Sequence, residues 1–380
     1  LGSADKAISL RLLIISHTDH YKDAEGNIYG WGPTVREIDA LTALFDEIVH
    51  IACLYDQSPP PSAVKYNSGK VRFVGIEPFG GKGLKNKLKI ITTALHNLGL
   101  IKRELRDADV FQFRAPTSIG LYIIPYLTWG SKKKGWYKYA GNWMAECPAL
   151  SYRLQRWMLL NLQRRKITIN GRWENQPAKC LSFENPCLYG KDRMIGIDSV
   201  ENKSFDQPLN LCFAGRLDKE KGIYDILTAL KNYPHKERIG RLDIVGDGPE
   251  MQHLKNAVQD IGINVHLHGA LSRGELFTIY KNSHLLLLPS ESEGFPKVVA
   301  EAANFGCIPV VTNVSSIGQY VNETNGFLWE RDEISFADYL AQLNLSNPSQ
   351  LKEMAVNAHE MAATFTYDHY ITRIKELILQ

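Results

Sequence analysis

Leu209-Asn210-Leu211-Cys212-Phe213-Ala214-Gly215-Arg216-Leu217-Asp218-Lys219-Glu220-Lys221-Gly222 is the stretch on which the architecture turns. Its apolar run is nearly continuous, as in a strand buried on both faces, and it ends at a glycine that permits a tight turn. A helical pattern follows from about Gly222, so strand, turn and helix stand in the order of a βαβ unit. Lys221 at the helix start is out of place, because the macrodipole already makes that end positive. A bound anion removes the conflict: helix amides, the Arg216 fork and the Lys221 point charge together make a seat for a diphosphate. Two solvated surface cations are the plainer alternative.

Similar runs recur outward in both directions. Upstream they are Leu10–Ser16, Glu47–Leu54, Val71–Ile76, Asp109–Phe113, Tyr137–Ala140, Lys166–Asn170 and Cys180–Phe183. Downstream they are Arg241–Val245, Val265–His268, His284–Pro289, Cys307–Thr312 and Gly326–Trp329. Strands alternating with helical stretches predict parallel sheets covered on both sides. At 380 residues the chain exceeds one ordinary core. Between Asn185 and Pro208 no period is sustained and the charge changes sign, which places a boundary near residue 195. The expected fold class is therefore α/β, two doubly wound Rossmann-like parallel-sheet domains facing an inter-domain cleft. Ligands of such sheets sit at the carboxyl ends of the strands.

Composition narrows the classes. Hydrophobic residues make up 44% and charged residues 22%, which excludes disordered and fibrous chains. The most apolar stretch, Val110 to Trp129, contains Arg114, Pro116 and Pro125, so no spanning helix is expected. Leu1-Gly2-Ser3 reads as the remainder of an expression tag. Six scattered cysteines without C-x-x-C read as buried free thiols in a reducing compartment, hence a cytoplasmic protein. Residues 1–190 hold 26 Lys+Arg against 16 Asp+Glu, whereas 191–380 hold 18 against 25. A basic half facing an acidic half speaks to partners rather than to fold.

A second strand–loop–helix stretch carries two acids. Leu285-Leu286-Leu287-Leu288-Pro289 runs into Glu293-Gly294-Phe295-Pro296, and Glu301 follows among Val298, Val299, Ala300, Ala302 and Ala303. Gly294 allows close approach of backbone to a ligand, and Pro296 suits a helix first turn. Glu293 in the loop and Glu301 in the second helical turn can face one crevice and accept hydrogen bonds from hydroxyls, as a sugar or ribose offers. A dipole-favoured acid beside a solvated one is the alternative.

Taken together, G-R-L-x-x-x-K-G, V-G-D-G-P-E (Val245–Glu250) and E-G-F-P-x-x-x-x-E (Glu293–Glu301) resemble the retaining nucleotide-sugar glycosyltransferases of family four, which have the GT-B fold. The likeness is specific over residues 209–330 and weak before 190. It implies that Arg216 and Lys221 hold the donor diphosphate and stabilise it as leaving group, and that Glu293 touches the donor sugar. Amides of Gly294, Phe295 and Pro296 would line the sugar and distal phosphate, and Glu301 would grip the ribose. Gly215 would also belong to the donor site, and the nucleobase would sit near Gly246 and the His268-Gly269 turn. Residues 1–195 would form the acceptor-binding domain and 196–364 the donor-binding domain, with 365–380 a helix returning to the first. Gly30-Trp31-Gly32-Pro33, leading into a helix near Thr34, is similar to the family's glycine-bearing first loop, so Gly30 and Gly32 are expected at the donor. His17 and Asp19, just past the first strand, are expected on the acceptor side.

One residue departs from the pattern. Many relatives end the strand matching Asp109–Phe113 in a histidine followed by x-Pro, whereas this chain has Arg114-Ala115-Pro116. An arginine cannot relay a proton at neutral pH, so Arg114 is expected to bind an acidic sugar or an anionic acceptor. No cofactor and no metal are expected beyond the nucleotide diphosphate sugar as co-substrate. Asp107-Ala108-Asp109 has a D-x-D form but precedes a strand, and His17-Thr18-Asp19-His20 lacks further ligands.

Between residues 79 and 105, Leu88, Ile91, Leu95, Leu98 and Ile101 recur at helical spacing, with Lys82, Lys85, Lys87 and Lys89 crowding the start. Such a basic amphipathic helix either lies on an anionic membrane surface or simply covers the first sheet. No nucleic-acid module is present. The expected function is transfer of a sugar, from a UDP-sugar by preference or from GDP-mannose, to a glycan or lipid-linked acceptor in polysaccharide biosynthesis, in the cytoplasm or peripherally on the membrane's inner face. A nucleotide-sugar epimerase of the same fold, or a non-catalytic sugar-nucleotide-binding subunit, is the alternative.

Overall fold

A computed structural model of the protein describes residues 10–78, 84–145, 148–206 and 208–380, the side chains of 84–91 excepted. In the first domain, β1 (Arg11–Ile15), β2 (His20–Lys22), β3 (Ile28–Trp31), β4 (Glu47–Tyr55), β5 (Ala63–Val64), β6 (Val71–Ile76), β7 (Val110–Ala115), β8 (Lys134–Tyr139), β9 (Ile167–Ile169) and β10 (Cys180–Ser182) form one sheet. Its parallel body runs β10-β9-β8-β7-β1-β4-β6. The small β2–β3 hairpin and β5 extend it beyond the carboxyl end of β4. Leu13 of the central β1 lies in register between Val49 and Phe111 and is fully buried. Each such leucine contributes about 1.5–3 kcal/mol by leaving water.

The second domain has six parallel strands, β11 (Leu209–Ala214), β12 (Ile239–Val245), β13 (Asn264–Gly269), β14 (Leu285–Leu288), β15 (Ile308–Thr312) and β16 (Phe327–Trp329), in the order β13-β12-β11-β14-β15-β16. The order reverses between β11 and β14, and at that switch point a crevice opens beyond the carboxyl ends of the strands. The sheets are covered by α1 (Gly32–Leu41), α2 (Leu84–Asp107), α3 (Gly120–Pro125), α4 (Leu150–Asn161), α5 (Gly190–Asn202), α6 (Ile223–Asn232), α7 (Met251–Ala257), α8 (Arg273–Asn282), α9 (Lys297–Asn304), α10 (Phe336–Gln342), α11 (Pro348–Ala362) and α12 (Tyr367–Leu377). The architecture is two parallel-sheet α/β domains in the GT-B arrangement.

The stretch 185–208, irregular by its sequence, contains the 13-residue α5. Its buried positions are Asp192, Gly196 and Val200, while Met194, Ile195 and Ile197 are exposed. With a charge and a glycine on the inner face and aliphatics outside, the usual hydrophobic period is absent. Gly196 is needed there because a Cβ would stand 2.3 Å from the Asn304 carbonyl oxygen of α9. Residue 195, where the sequence places the boundary, lies inside this helix.

Of the basic helix expected over 79–105, residues 79–83 and the side chains of 84–91 lie outside the described residues. In the remainder, Ile101 and Leu105 are buried in the core of the first sheet, and Leu95 is exposed. Helix α12 packs on α1, placing Tyr370 and Ile374 in the core on the opposite face of that sheet.

The two domains touch at a few polar points. The Arg172 amide donates to Oε1 of Gln319 at 2.7 Å, and Nε2 of Gln319 donates back to the Arg172 carbonyl at 2.8 Å. Ser315 Oγ donates to Asn142 Oδ1 at 3.0 Å. Lys297 Nζ lies 2.8 Å from the Pro186 carbonyl oxygen and 3.5 Å from that of Pro33.

Candidate active site

Two loops leave the switch point side by side, one after β11 and one after β14. Gly222 has φ +74°, and a Cβ on it would lie 2.2 Å from the Pro289 carbonyl oxygen, so only glycine lets the loops meet. The Glu291 amide donates to the Glu220 carbonyl at 2.8 Å and closes the seam. That seam brings Lys221 Nζ to 2.5 Å from Glu293 Oε1, with both side chains largely shielded from solvent. Arg216, across the same turn, is 70% exposed and its Nε rests 2.8 Å from Asp218 Oδ2. The structure thus joins Lys221 to Glu293, and leaves Arg216 on a neighbouring acid at the mouth rather than beside Lys221.

Behind them lies a floor of bare backbone. The Gly215 amide donates to the Val245 carbonyl and the Gly246 amide to that of Gly269. Gly246 has φ +139°, and a Cβ there would stand 1.8 Å from the Gly215 carbonyl oxygen. His268 does not face this floor as expected. Its Nε2 lies 2.8 Å from Oδ1 of the buried Asp243, a carboxylate that needs hydrogen-bond donors where water is excluded. Among the described residues, Asp243, His266 and His268 are the one group whose ligand atoms gather closely enough to hold a metal ion, within 4.8 Å of one another. Arg241 already neutralises the same aspartate from its other oxygen at 2.7 Å.

In the second loop the expectation for Phe295 concerns its amide, and its side chain packs elsewhere. It is buried and stacks on Phe365 at 4.4 Å, pinning the loop while leaving only its backbone to the crevice. Ser316 Oγ donates to the Gly294 carbonyl at 2.9 Å, and a Cβ on Gly294 would approach Asn170 Nδ2 of the first domain to 2.9 Å. Pro296 caps α9, whose first turn carries no acid, so its positive end is uncompensated. Glu301 follows on the second turn. Burial pushes its carboxyl up, while Arg273, Lys297 and Arg36 pull it back. Among the described residues no hydrogen-bond donor is placed on it, which suits a group that accepts from a ligand.

The first domain's rim departs from expectation at several residues. Gly30 is close-packed, but against its own hairpin: a Cβ would meet His20 Nε2 at 2.3 Å. Gly32 opens α1 two residues earlier than predicted, with the Ser62 carbonyl oxygen 2.6 Å from where its Cβ would be. Both glycines are therefore required by the packing of the first domain's own rim. His17 is half-buried and Asp19 exposed past the carboxyl end of β1, on the cleft side. Asp107 ends α2, and Asp109 Oδ2 accepts from the Arg11 amide at the opposite edge of the sheet.

Arg114 is not a free hook for an anion. It is 8% exposed, and its two Nη atoms lie 3.1 and 3.4 Å from the carboxylate of the fully buried Glu37. Lys138 Nζ at 2.6 Å and the Tyr370 hydroxyl at 3.1 Å donate to the same Glu37 Oε1. Burial opposes the charge on Glu37, but Arg114, Lys138 and Lys297 hold its carboxyl well below the usual range. Burial, partly offset by Glu37, lowers Lys138 to about 7. This cluster ties α1, β7, β8 and α12 together.

The sequence also hid a closed hydrogen-bonded ring behind the rim. Ser16 Oγ and His50 Nε2 are 2.7 Å apart, His50 Nδ1 and the Tyr66 hydroxyl 2.6 Å, and Tyr66 and His20 Nε2 2.9 Å. His20 Nδ1 meets the Thr18 carbonyl oxygen at 3.0 Å, which requires a proton on that nitrogen. Burial pushes His20 down to about 4 and His50 well below its ordinary value, so both rings are neutral. The proton order follows: Ser16 donates to His50, His50 to Tyr66, Tyr66 to His20, and His20 to Thr18. Tyr66 lies outside any regular element, so no spacing in the sequence signals it.

Comparison with known proteins places this geometry. Residues 196–361 match the family model of the glycosyl transferases group 1. An uncharacterized glycosyltransferase of Haemophilus influenzae is 28% identical over 201 residues, covering 52% of this chain and 54% of its own. The chain spans about half the length, or less, of the first curated relatives it matches. Among solved structures, a sucrose-phosphate synthase of Thermosynechococcus elongatus superposes with TM-score 0.70 at 17% identity, covering 97% of this chain and 98% of that one. The Anabaena protein HepE, solved with UDP and glucose, gives 0.66 at 14% identity over 97% and 98%. At these identities the likeness shows the fold. The match to the group 1 glycosyl transferases is confined to residues 196–361, which hold the second parallel sheet.

Proposed function

We propose that the protein is a retaining glycosyltransferase that moves a sugar from a nucleotide diphosphate sugar, UDP-linked by preference, to a glycan or lipid-linked acceptor. The observation that carries this reading is the Lys221–Glu293 pair at 2.5 Å on the strand-order switch point, with the unpartnered Glu301 following on the second turn of α9. The diphosphate lies between the Gly215–Lys221 turn and the positive end of α9. Lys221 and Arg216, the latter leaving Asp218, take the phosphate oxygens, Glu293 accepts from sugar hydroxyls, and Glu301 accepts from the ribose. The bond from the anomeric carbon to the phosphate oxygen breaks as the bond to the acceptor oxygen forms on the same face. The acceptor proton passes to the departing phosphate oxygen, whose new charge the fixed cations stabilise. Because Arg114 is sealed against Glu37, that proton has no route through the strand-end position where relatives carry histidine.

A thermal-shift series with UDP, GDP and ADP sugars tests the donor: a ligand at 100 times its Kd adds about 2.7 kcal/mol, and no response to any of them would sink the reading. Hydrolysis of the donor to an α-configured sugar separates it from an epimerase. In this reading Lys221 and Arg216 neutralise the diphosphate in place of a metal, so EDTA is expected to leave the turnover rate unchanged, measured as nucleotide release. Glu301→Gln is expected to raise the donor KM about ten- to hundredfold with a smaller change in kcat, the loss of a charge-assisted hydrogen bond made equally in ground and transition states.

A further inference from the structure

Residues 110–170 contain ten Lys+Arg and one acid, Glu146. The same stretch holds six of the large apolar side chains most open to solvent, with Leu150 at 76%, Trp129 at 71%, Trp157 at 51%, and Met144, Leu154 and Tyr152 above 40%. On α4, Gln155, Met158 and Leu159 face inward, whereas Leu150, Leu154 and Trp157, at i, i+4 and i+7, form a stripe along the outer side. A helix that buries one side and still shows aliphatics and a tryptophan on the other lacks a partner.

At the far end of α4 the five-residue π-helical turn Tyr126–Gly130 raises Trp129 between two hollows. One, of about 410 Å³, is lined by Trp129, Leu162, Arg164 and Arg165. The other, of about 350 Å³, is lined by Lys102, Arg106, Tyr126 and Lys132. Arg165 and Lys133 are engaged in holding the turn, through the carbonyls of Leu127, Ser131 and Ala108. Lys102, Arg106, Lys132, Arg153 and Arg164 have no ion-pair partner among the described residues.

We propose that this face of the first domain lies on a bilayer containing acidic lipids. Uncompensated cations around an aliphatic stripe with two exposed tryptophans match the charge and layering of a headgroup region, where aromatic rings settle and basic side chains meet phosphates. The stripe differs from the start of α2, the site the charge pattern first suggests. The chain enters α4 from the cleft side in sequence: eight residues before Leu150, Asn142 meets Ser315, and the Gly141 carbonyl oxygen lies 3.5 Å from where a Gly294 Cβ would be. Given the glycosyl-transfer reading, on which this last step rests, the acceptor is a lipid-linked saccharide that enters the cleft from the bilayer plane.

Flotation of the full chain with vesicles tests the surface. Binding is expected to phosphatidylcholine vesicles carrying 30% phosphatidylglycerol, falling at least tenfold on pure phosphatidylcholine or in 0.5 M NaCl. The Leu154→Glu/Trp157→Glu double variant is expected to lose at least tenfold in partitioning while its stabilisation by UDP stays that of the parent. Trp129→Ala alone, a milder change, is expected to lose severalfold. No binding to acidic vesicles, or equal binding by the double variant, overturns the proposal. So does a dimer in sedimentation that the double variant breaks, since a second copy would then cover the stripe. Vesicle binding without any response to sugar nucleotides keeps the surface and refutes the donor reading.

Discussion

Lys221→Ala is expected to lower kcat by about a hundred- to a thousandfold and to weaken nucleotide binding, measured by release of the nucleoside diphosphate. The magnitude is that of removing one pre-aimed charge from a developing oxyanion, about 2.7–4 kcal/mol. The structure adds a second loss. Lys221 Nζ is the partner of Glu293 Oε1, so the alanine variant also leaves that carboxylate, only 12% exposed, without its cation. Glu293 then repels the donor phosphate it should sit beside. Arg216→Ala is the internal comparison: its guanidinium is exposed and must move to reach the diphosphate, so it costs ordering that Lys221 does not. Unchanged turnover in the Lys221 variant would refute the diphosphate assignment.

Glu37→Gln is expected to destabilise the first domain by about 3–5 kcal/mol, the range for removing one partner of a buried ion pair. With about 2–4 °C of Tm per kcal/mol in a domain of this size, a fall of roughly 10 °C is readily measured. Lys138, lowered to about 7, escapes by losing its proton. Arg114 cannot, so an uncompensated guanidinium remains in the core. The pH dependence has a definite sign. The folded value of Glu37 is depressed, so its contribution is complete above the unfolded carboxylate value of about 4.3 and is lost as pH falls below it. A Tm insensitive to the substitution would mean that α1 and α12 are held by their apolar contacts alone.

How much of this was legible beforehand depended on burial. Strands such as Leu209–Ala214 were visible because both faces are covered, which forces a continuous apolar run. The hairpin of His20–Lys22 and Ile28–Trp31 was not, since its strands are three and four residues long and mix polar with aromatic side chains. Helix α5 was hidden for the opposite reason, its aliphatic residues pointing outward. In the site, the two strand–loop–helix stretches that carry Lys221 and Glu293 were visible, but the pairing of the two side chains was not, because it depends on β11 and β14 being neighbours at the switch point. Nor were the fates of Arg114 and His268, each decided by a partner elsewhere in the chain, Glu37 and Asp243. A glycine likewise announces a tight approach without saying whether a ligand or the protein's own His20 fills the space.

The junction at Arg172 and Gln319 has a kinetic corollary. Among the described residues, two amide-type hydrogen bonds and the Ser315–Asn142 contact tie the halves together at that rim. Each contributes about 1 kcal/mol net of water's competition. Breaking these three contacts therefore asks for only a few kcal/mol, and hinge motions of domains span microseconds to milliseconds. On the proposed function, that opening would let the nucleotide leave at each cycle without any energy source other than thermal agitation.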